Sequence, residues 1–149
     1  MRDAIPVTLR VTLVGPPADV QFGVQQGRYG VLAAARATGE TLSLDFPGEF
    51  RPGKEGEPVL YGPHAQGPPA ERFVYVNAGT YSGDSVSCWG RRAKIPTRGV
   101  TWELLERARQ TPGAVIEARI AGKARDGGPA CATVPLLEPG WQVRFPGAG

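Results

Sequence analysis

Apolar residues return at every second position in segment after segment of this chain, and that period admits few architectures. Val7, Leu9, Val11 and Leu13 alternate with Thr8, Arg10 and Thr12. Val20, Phe22 and Val24 alternate with Gln21, Gly23 and Gln25, and Leu42, Leu44 and Phe46 with Thr41, Ser43 and Asp45. Successive side chains of a strand point to opposite faces, so each segment reads as a strand with one apolar face. Val115 to Ile120, Ala130 to Leu136 and Trp141 to Phe145 give three more strands, and Val59-Leu60-Tyr61 a short edge strand. From Arg72 to Asn77 the apolar residues are consecutive, which predicts a central strand covered on both faces. Gly15-Pro16-Pro17 and Asp126-Gly127-Gly128 mark turns between these segments.

Only Thr101 to Gln110 fits a convincing helix. Thr101 suits the N-cap, Val100 and Leu105 are spaced for a hydrophobic staple, and Leu104, Leu105 and Ala108 form an apolar stripe. Glu103 in the first turn and Arg107 and Arg109 in the last match the helix dipole. The alanine run within Tyr29 to Thr38 suggests a second, short helix, and Pro47 to Pro58 reads as a mobile excursion between elements. The expected fold is mostly β (α+β by strict count): an antiparallel β-barrel or sandwich of about seven to eight strands with one helix near 101–110. At 149 residues a single globular domain, 1–149, is expected.

Composition narrows the setting. With 41% hydrophobic and 21% charged residues the chain is globular, and its apolar runs fall short of a membrane span. Asp3 and Pro6 interrupt the position of a signal peptide's apolar stretch, so a cytoplasmic protein is expected. Two cysteines are too few for a disulfide scaffold. The net charge is a modest +3, carried by many more arginines than lysines. That bias reads either as the codon usage of a GC-rich genome or as anion recognition, which arginine's forked donors suit.

The stretch Gly62 to Lys94 combines a Pro/Gly-rich loop holding the only histidine, His64, the apolar strand, a polar run, Cys88-Trp89 and a set of cations. A ligand site is expected at this strand's end, built from Arg72, Tyr75, Asn77, Tyr81, Trp89 and Arg91 or Arg92, and holding a small polar or anionic molecule. Arg91, Arg92, Lys94 and Arg98 form either a pocket rim for an anion or a solvated edge strand. The alternative is an enzyme with Cys88 as nucleophile, Arg91 or Arg92 stabilising the thiolate, and Ser85 or Ser87 assisting. A third reading is a protein–protein interaction module without a small ligand.

Cys88 and Cys131 can be buried apolar residues, a structural pair or reactive thiols; burial is expected for both. A Cys–His pair would need His64. No cofactor motif is present, and two cysteines and one histidine without close spacing predict no metal site. Oxygen ligands from Asp84 and Asp126 have no motif behind them, and paired carboxylates would have to come from Asp45, Asp84 and Glu117. Few lysines and no aromatics interleaved with the cations argue against nucleic acid as a partner.

The combination VQFGVQQG, GPHAQGPPAERFVYVNAGTYSGDSVSCWGRRAKIP, GVTWELLE and DGGPACATV resembles a family of small bacterial proteins of unknown function. The likeness covers roughly residues 7 to 145 and implies no substrate, mechanism or functional residue.

Overall fold

A computed structural model of the chain describes residues 3–27, 30–63, 72–79, 81–82, 85–86, 93–95, 97–122 and 140–144, with backbone alone for 81–82, 85–86 and 140–144. The strands are β1 (Ile5–Val14), β2 (Gln21–Gln26), β3 (Gly30–Arg36), β4 (Thr41–Pro52), β5 (Pro58–Tyr61), β6 (Val74–Gly79), β7 (Tyr81–Ser82), β8 (Ser85–Val86), β9 (Ala93–Lys94), β10 (Val115–Ala121) and β11 (Gly140–Arg144). One helix, α1 (Trp102–Arg109), precedes β10. Eight of the described strands have four residues or more; all but β3 coincide with strands expected from sequence, and the expected strand over 130–136 lies outside the described residues.

Two sheets carry the fold. The first runs β11-β10-β1-β4-β5 and the second β3-β2-β6-β9, with β7 and β8 forming a small ribbon. Pairing is antiparallel except between β1 and β10, which run parallel. The parallel pair is possible because the chain between β1 and β10, which runs through β2 to β9 and α1, supplies the long crossover that parallel neighbours need. The inner faces meet in one cluster, with Leu9, Phe46 and Phe50 from the first sheet and Phe22, Val24 and Val76 from the second. Along one side the sheets also join edge to edge. Tyr61 at the end of β5 bridges Phe73, and Gly62 N donates to Arg72 O at 3.0 Å. A barrel or sandwich of about eight strands with one helix describes this arrangement.

The strand over 72–77 is central as expected. β6 lies between β2 and β9, with Val74, Val76 and Ala78 buried towards the core and Asn77 buried on the opposite face. β5 is an edge strand, also as expected.

Two local expectations fail. The alanine segment is strand β3, not a helix: alanine's helix preference is weak, and six register pairs with β2 override it. Nor is 47–58 an excursion, because β4 continues through Pro52, pairs with β1 as far as Phe50 and turns into β5 at Gly53–Glu57. The apolar alternation persists there as Leu44, Phe46 and Phe50 but is hidden by Gly48 at the core-facing position between them. A Cβ at Gly48 would lie 2.6 Å from Leu9 Cδ1 and 3.1 Å from Leu60 Cδ1, so only glycine leaves room for both leucines. Pro47 is tolerated opposite Thr8 because the β5 ladder begins only at Glu49, leaving β4 one open side.

The helix has the predicted ends. Thr101 Oγ1 accepts from Leu104 N at 3.2 Å, Glu103 lies in the first turn and Arg107 and Arg109 in the last. Leu105 and Ala108 are buried and the helix sits against β1, while Trp102 Nε1 donates to Gly56 O at 2.7 Å. Among the described residues no helix is long and apolar enough to cross a membrane.

Candidate functional site

The edge-to-edge join concentrates the chemistry of the outer faces. Residues 61 and 73 flank the Pro/Gly-rich loop, and pairing across it puts their rings on the same side, stacked at 5.5 Å with planes 12° apart. Three cations surround this pair. Lys94 Nζ, brought in by the pairing of β9 with Tyr75, lies 3.6 Å from the Phe73 ring centre. The guanidinium carbons of Arg51 and Arg72 lie 5.7 and 6.0 Å from the Tyr61 ring centre. A cation over an aromatic face is attracted by the ring quadrupole by about 0.5–1 kcal/mol when exposed and more when desolvated.

Charge at this seam is unevenly compensated. Arg51 donates to Glu49, its neighbour but one on β4. No described carboxylate pairs with Arg72 or Lys94. The Nε atoms of Arg51 and Arg72 are buried without a hydrogen-bond partner. Two cations thus face a stacked aromatic pair with no anion between them among the described residues.

The same outer face continues across β6 and β2. Tyr75 is opposite Gln25 on one side and Lys94 on the other, and Asn77 is opposite Gly23. Gln25 and Asn77 are each 0% exposed, so this face is covered at both positions, while Tyr75 between them is half-buried and Lys94 exposed. Neither the amide nitrogen nor the amide oxygen of Gln25 has a hydrogen bond. Opposite it the β2–β3 register slips, with Val24 pairing Ala33 and Gln25 pairing Val31, which leaves Leu32 as an extra residue. Such bulges re-aim side chains and recur beside functional sites.

The chain belongs to a family of unknown function, DUF5990, whose model matches residues 7–144. Neither a curated protein nor a solved structure matches it. The match agrees with the resemblance to a family of unknown function carried by the four motifs between residues 20 and 134, and brings no activity with it.

Of the site residues expected from sequence, the fold brings Arg72 and Tyr75 to the seam and sets Asn77 two residues further along the same face. Tyr81 and Ser85 lie in the β7–β8 ribbon, described by backbone alone. Trp89, Arg91 and Arg92 lie outside the described residues, as do His64, Asp84, Ser87, Cys88, Asp126 and Cys131. Sequence reasoning missed Tyr61, Phe73, Arg51 and Gln25 as neighbours of this cluster. A signal existed for the first two: strands flanking one loop and paired as a hairpin oppose the residues at its ends. Nothing local points to Gln25, which looks like any polar member of an alternating strand.

Asp45 and Glu117 come near each other, but not as a carboxylate pair. Arg10 is the register partner of both, on β4 and β10, and it donates to Asp45 through Nε at 2.6 Å and Nη2 at 2.9 Å. Glu117, 2% exposed, instead accepts from Thr12 Oγ1 at 2.9 Å, and Thr12 in turn meets Ser43 Oγ at 2.9 Å. Among the described residues no cluster of histidine, cysteine or carboxylates could hold a metal ion.

Proposed function

We propose that this protein binds a small polar or anionic molecule at the seam where β5 meets β6. The observation that supports this most is the pair Arg72 and Lys94, held against the stacked rings of Tyr61 and Phe73 with no carboxylate partner among the described residues. Concentrated positive charge on a partly apolar surface lowers the free energy of an arriving anion, and a charge-assisted hydrogen bond to a buried guanidinium Nε is stronger than a neutral one. Arg72 offers a planar fork for a carboxylate or phosphate, whereas Lys94 offers a point charge. Tyr75, between Gln25 and Lys94, supplies a hydroxyl on the same face.

A thermal-shift series with inorganic phosphate and simple organic carboxylates tests the reading, comparing the wild type with an R72A/K94A double variant. A ligand present at 100 times its dissociation constant adds about 2.7 kcal/mol. The wild type should melt higher in the presence of at least one such anion, and the double variant should lose that rise. Equal shifts in both proteins would remove the seam as the binding site.

A further inference from the structure

Beside the seam, on the outer face of the first sheet, lies a depression of about 510 Å³ over the β1–β4 pair. Its walls include Pro6, Thr8, Pro47, Pro63 and Glu49. Prolines carry no backbone N–H and show methylene faces, so the hollow is chiefly apolar, with one carboxylate at its edge. Its size falls within the range of small-molecule sites.

The depression and the cationic seam share a wall. Pro6, Glu49 and Tyr61 are register partners across β1, β4 and β5, so one row of side chains runs from the hollow to the stacked rings. Glu49 both lines the hollow and accepts from Arg51, which in turn stands over Tyr61. Pro63 lines the hollow two residues after Tyr61. Strands are spaced ~4.8 Å apart, so from the middle of the β1–β4 pair to β5 is roughly 7 Å. That is more than the distance from a single ring to an acid group bonded to it, so the apolar body has to span two rings or carry the acid on a short spacer.

We infer that the hollow and the seam form one two-part site for an organic anion with a flat apolar body. The body lies against Pro6, Pro47 and Thr8, and the acid group reaches past Arg51, which Glu49 already pairs, to Arg72. Because Arg51 is compensated by Glu49, Arg72 at the seam is the place for the acid. The inference rests on the anion-binding reading above and adds to it the chemical class of the ligand.

Anilinonaphthalene sulfonate, an aromatic anion that fluoresces when its rings leave water, is a suitable probe, with inorganic phosphate as the body-less control. Thr8 is exposed on the outer face of β1, so Thr8→Phe fills the hollow without touching the core. Circular dichroism checks that this variant and R72A/K94A fold. Thr8→Phe should weaken the dye at least about tenfold and leave phosphate unchanged, and R72A/K94A should weaken both. Full dye binding by Thr8→Phe, with loss in R72A/K94A, would overturn the two-part site and leave the anion site standing. Unchanged binding of dye and phosphate by R72A/K94A would overturn both readings. Should Thr8→Phe not fold, nuclear Overhauser contacts between the dye and the Pro6 and Pro47 rings of the wild type decide the matter: their presence supports the inference, and their absence with dye bound overturns it.

Discussion

The outer faces of the two sheets solve the same problem differently. Both carry polar side chains in positions that are partly or fully shielded from water. Around β1 of the first sheet those groups bond one another: Ser43 meets Thr12, Thr12 donates to Glu117, and Arg10 holds Asp45 with two bonds. On the second sheet Gln25 is fully buried with both ends of its amide unbonded, and beside it no described carboxylate pairs with Arg72. A buried polar group without a partner costs roughly 1–3 kcal/mol. A fold keeps such groups when something other than stability uses them, so the polar chain across β10, β1 and β4 is a folding device, whereas Gln25 and Arg72 lie towards the candidate site at the seam.

Thr12→Val is the strongest way to break this comparison. It preserves shape but leaves the carboxylate of Glu117, 2% exposed, without its hydroxyl donor. Loss of a partner to a buried charged group should cost about 2–3 kcal/mol, read from the midpoint of urea unfolding. Ser43→Ala, at the exposed end of the same chain of hydroxyls, should cost well under half as much. Equal losses would mean that the network is not organised around Glu117.

Gln25→Leu sharpens the contrast from the other side. The change removes two unbonded polar atoms and keeps a side chain of similar bulk, so stability should be unchanged or raised by about 1 kcal/mol. A clear loss in urea unfolding would show that Gln25 is bonded in solution and would erase the difference between the two faces. If Gln25 serves the bound molecule, the same variant should show a smaller thermal shift with the anions that stabilise the wild type.

How much of this was legible in the sequence follows from which signals are local. Period-two alternation is local, and it located β1, β2 and the first half of β4, while a run of consecutive apolar residues located the central β6; the cap and charges of α1 are equally local. The alternation also hid things. A glycine at a core position, Gly48, interrupted the apolar count and made the second half of β4 look like a loop. Pairing partners are not local at all. Arg51, Tyr61 and Lys94 are far apart in the chain and meet only through the β4–β5, β5–β6 and β6–β9 contacts. Arg72, Tyr75 and Asn77 could be proposed because they adjoin a strand whose consecutive apolar residues announced its central place.

The smallest expected effect concerns the Arg10–Asp45 pair, which belongs to the satisfied face. The two hydrogen bonds from Arg10, reinforced by its charge and only partly opposed by desolvation, hold the Asp45 carboxyl below its ordinary range. A carboxyl whose folded pKa is depressed favours the folded state at pH values above its unfolded pKa of about 3.9. That contribution fades as pH falls through the lower, folded value. The Asp45 side chain is 48% exposed, so solvent screening keeps the pair's worth below about 1 kcal/mol. Asp45→Asn should therefore lower stability slightly at pH 7, and the difference from wild type should close in acid, below about pH 4. Added salt should also narrow the gap, because charges this exposed are screened. A difference that persists unchanged into acid would mean that Asp45 acts through shape or hydrogen bonding alone, and the charge on the first sheet's outer face would then contribute nothing to the fold.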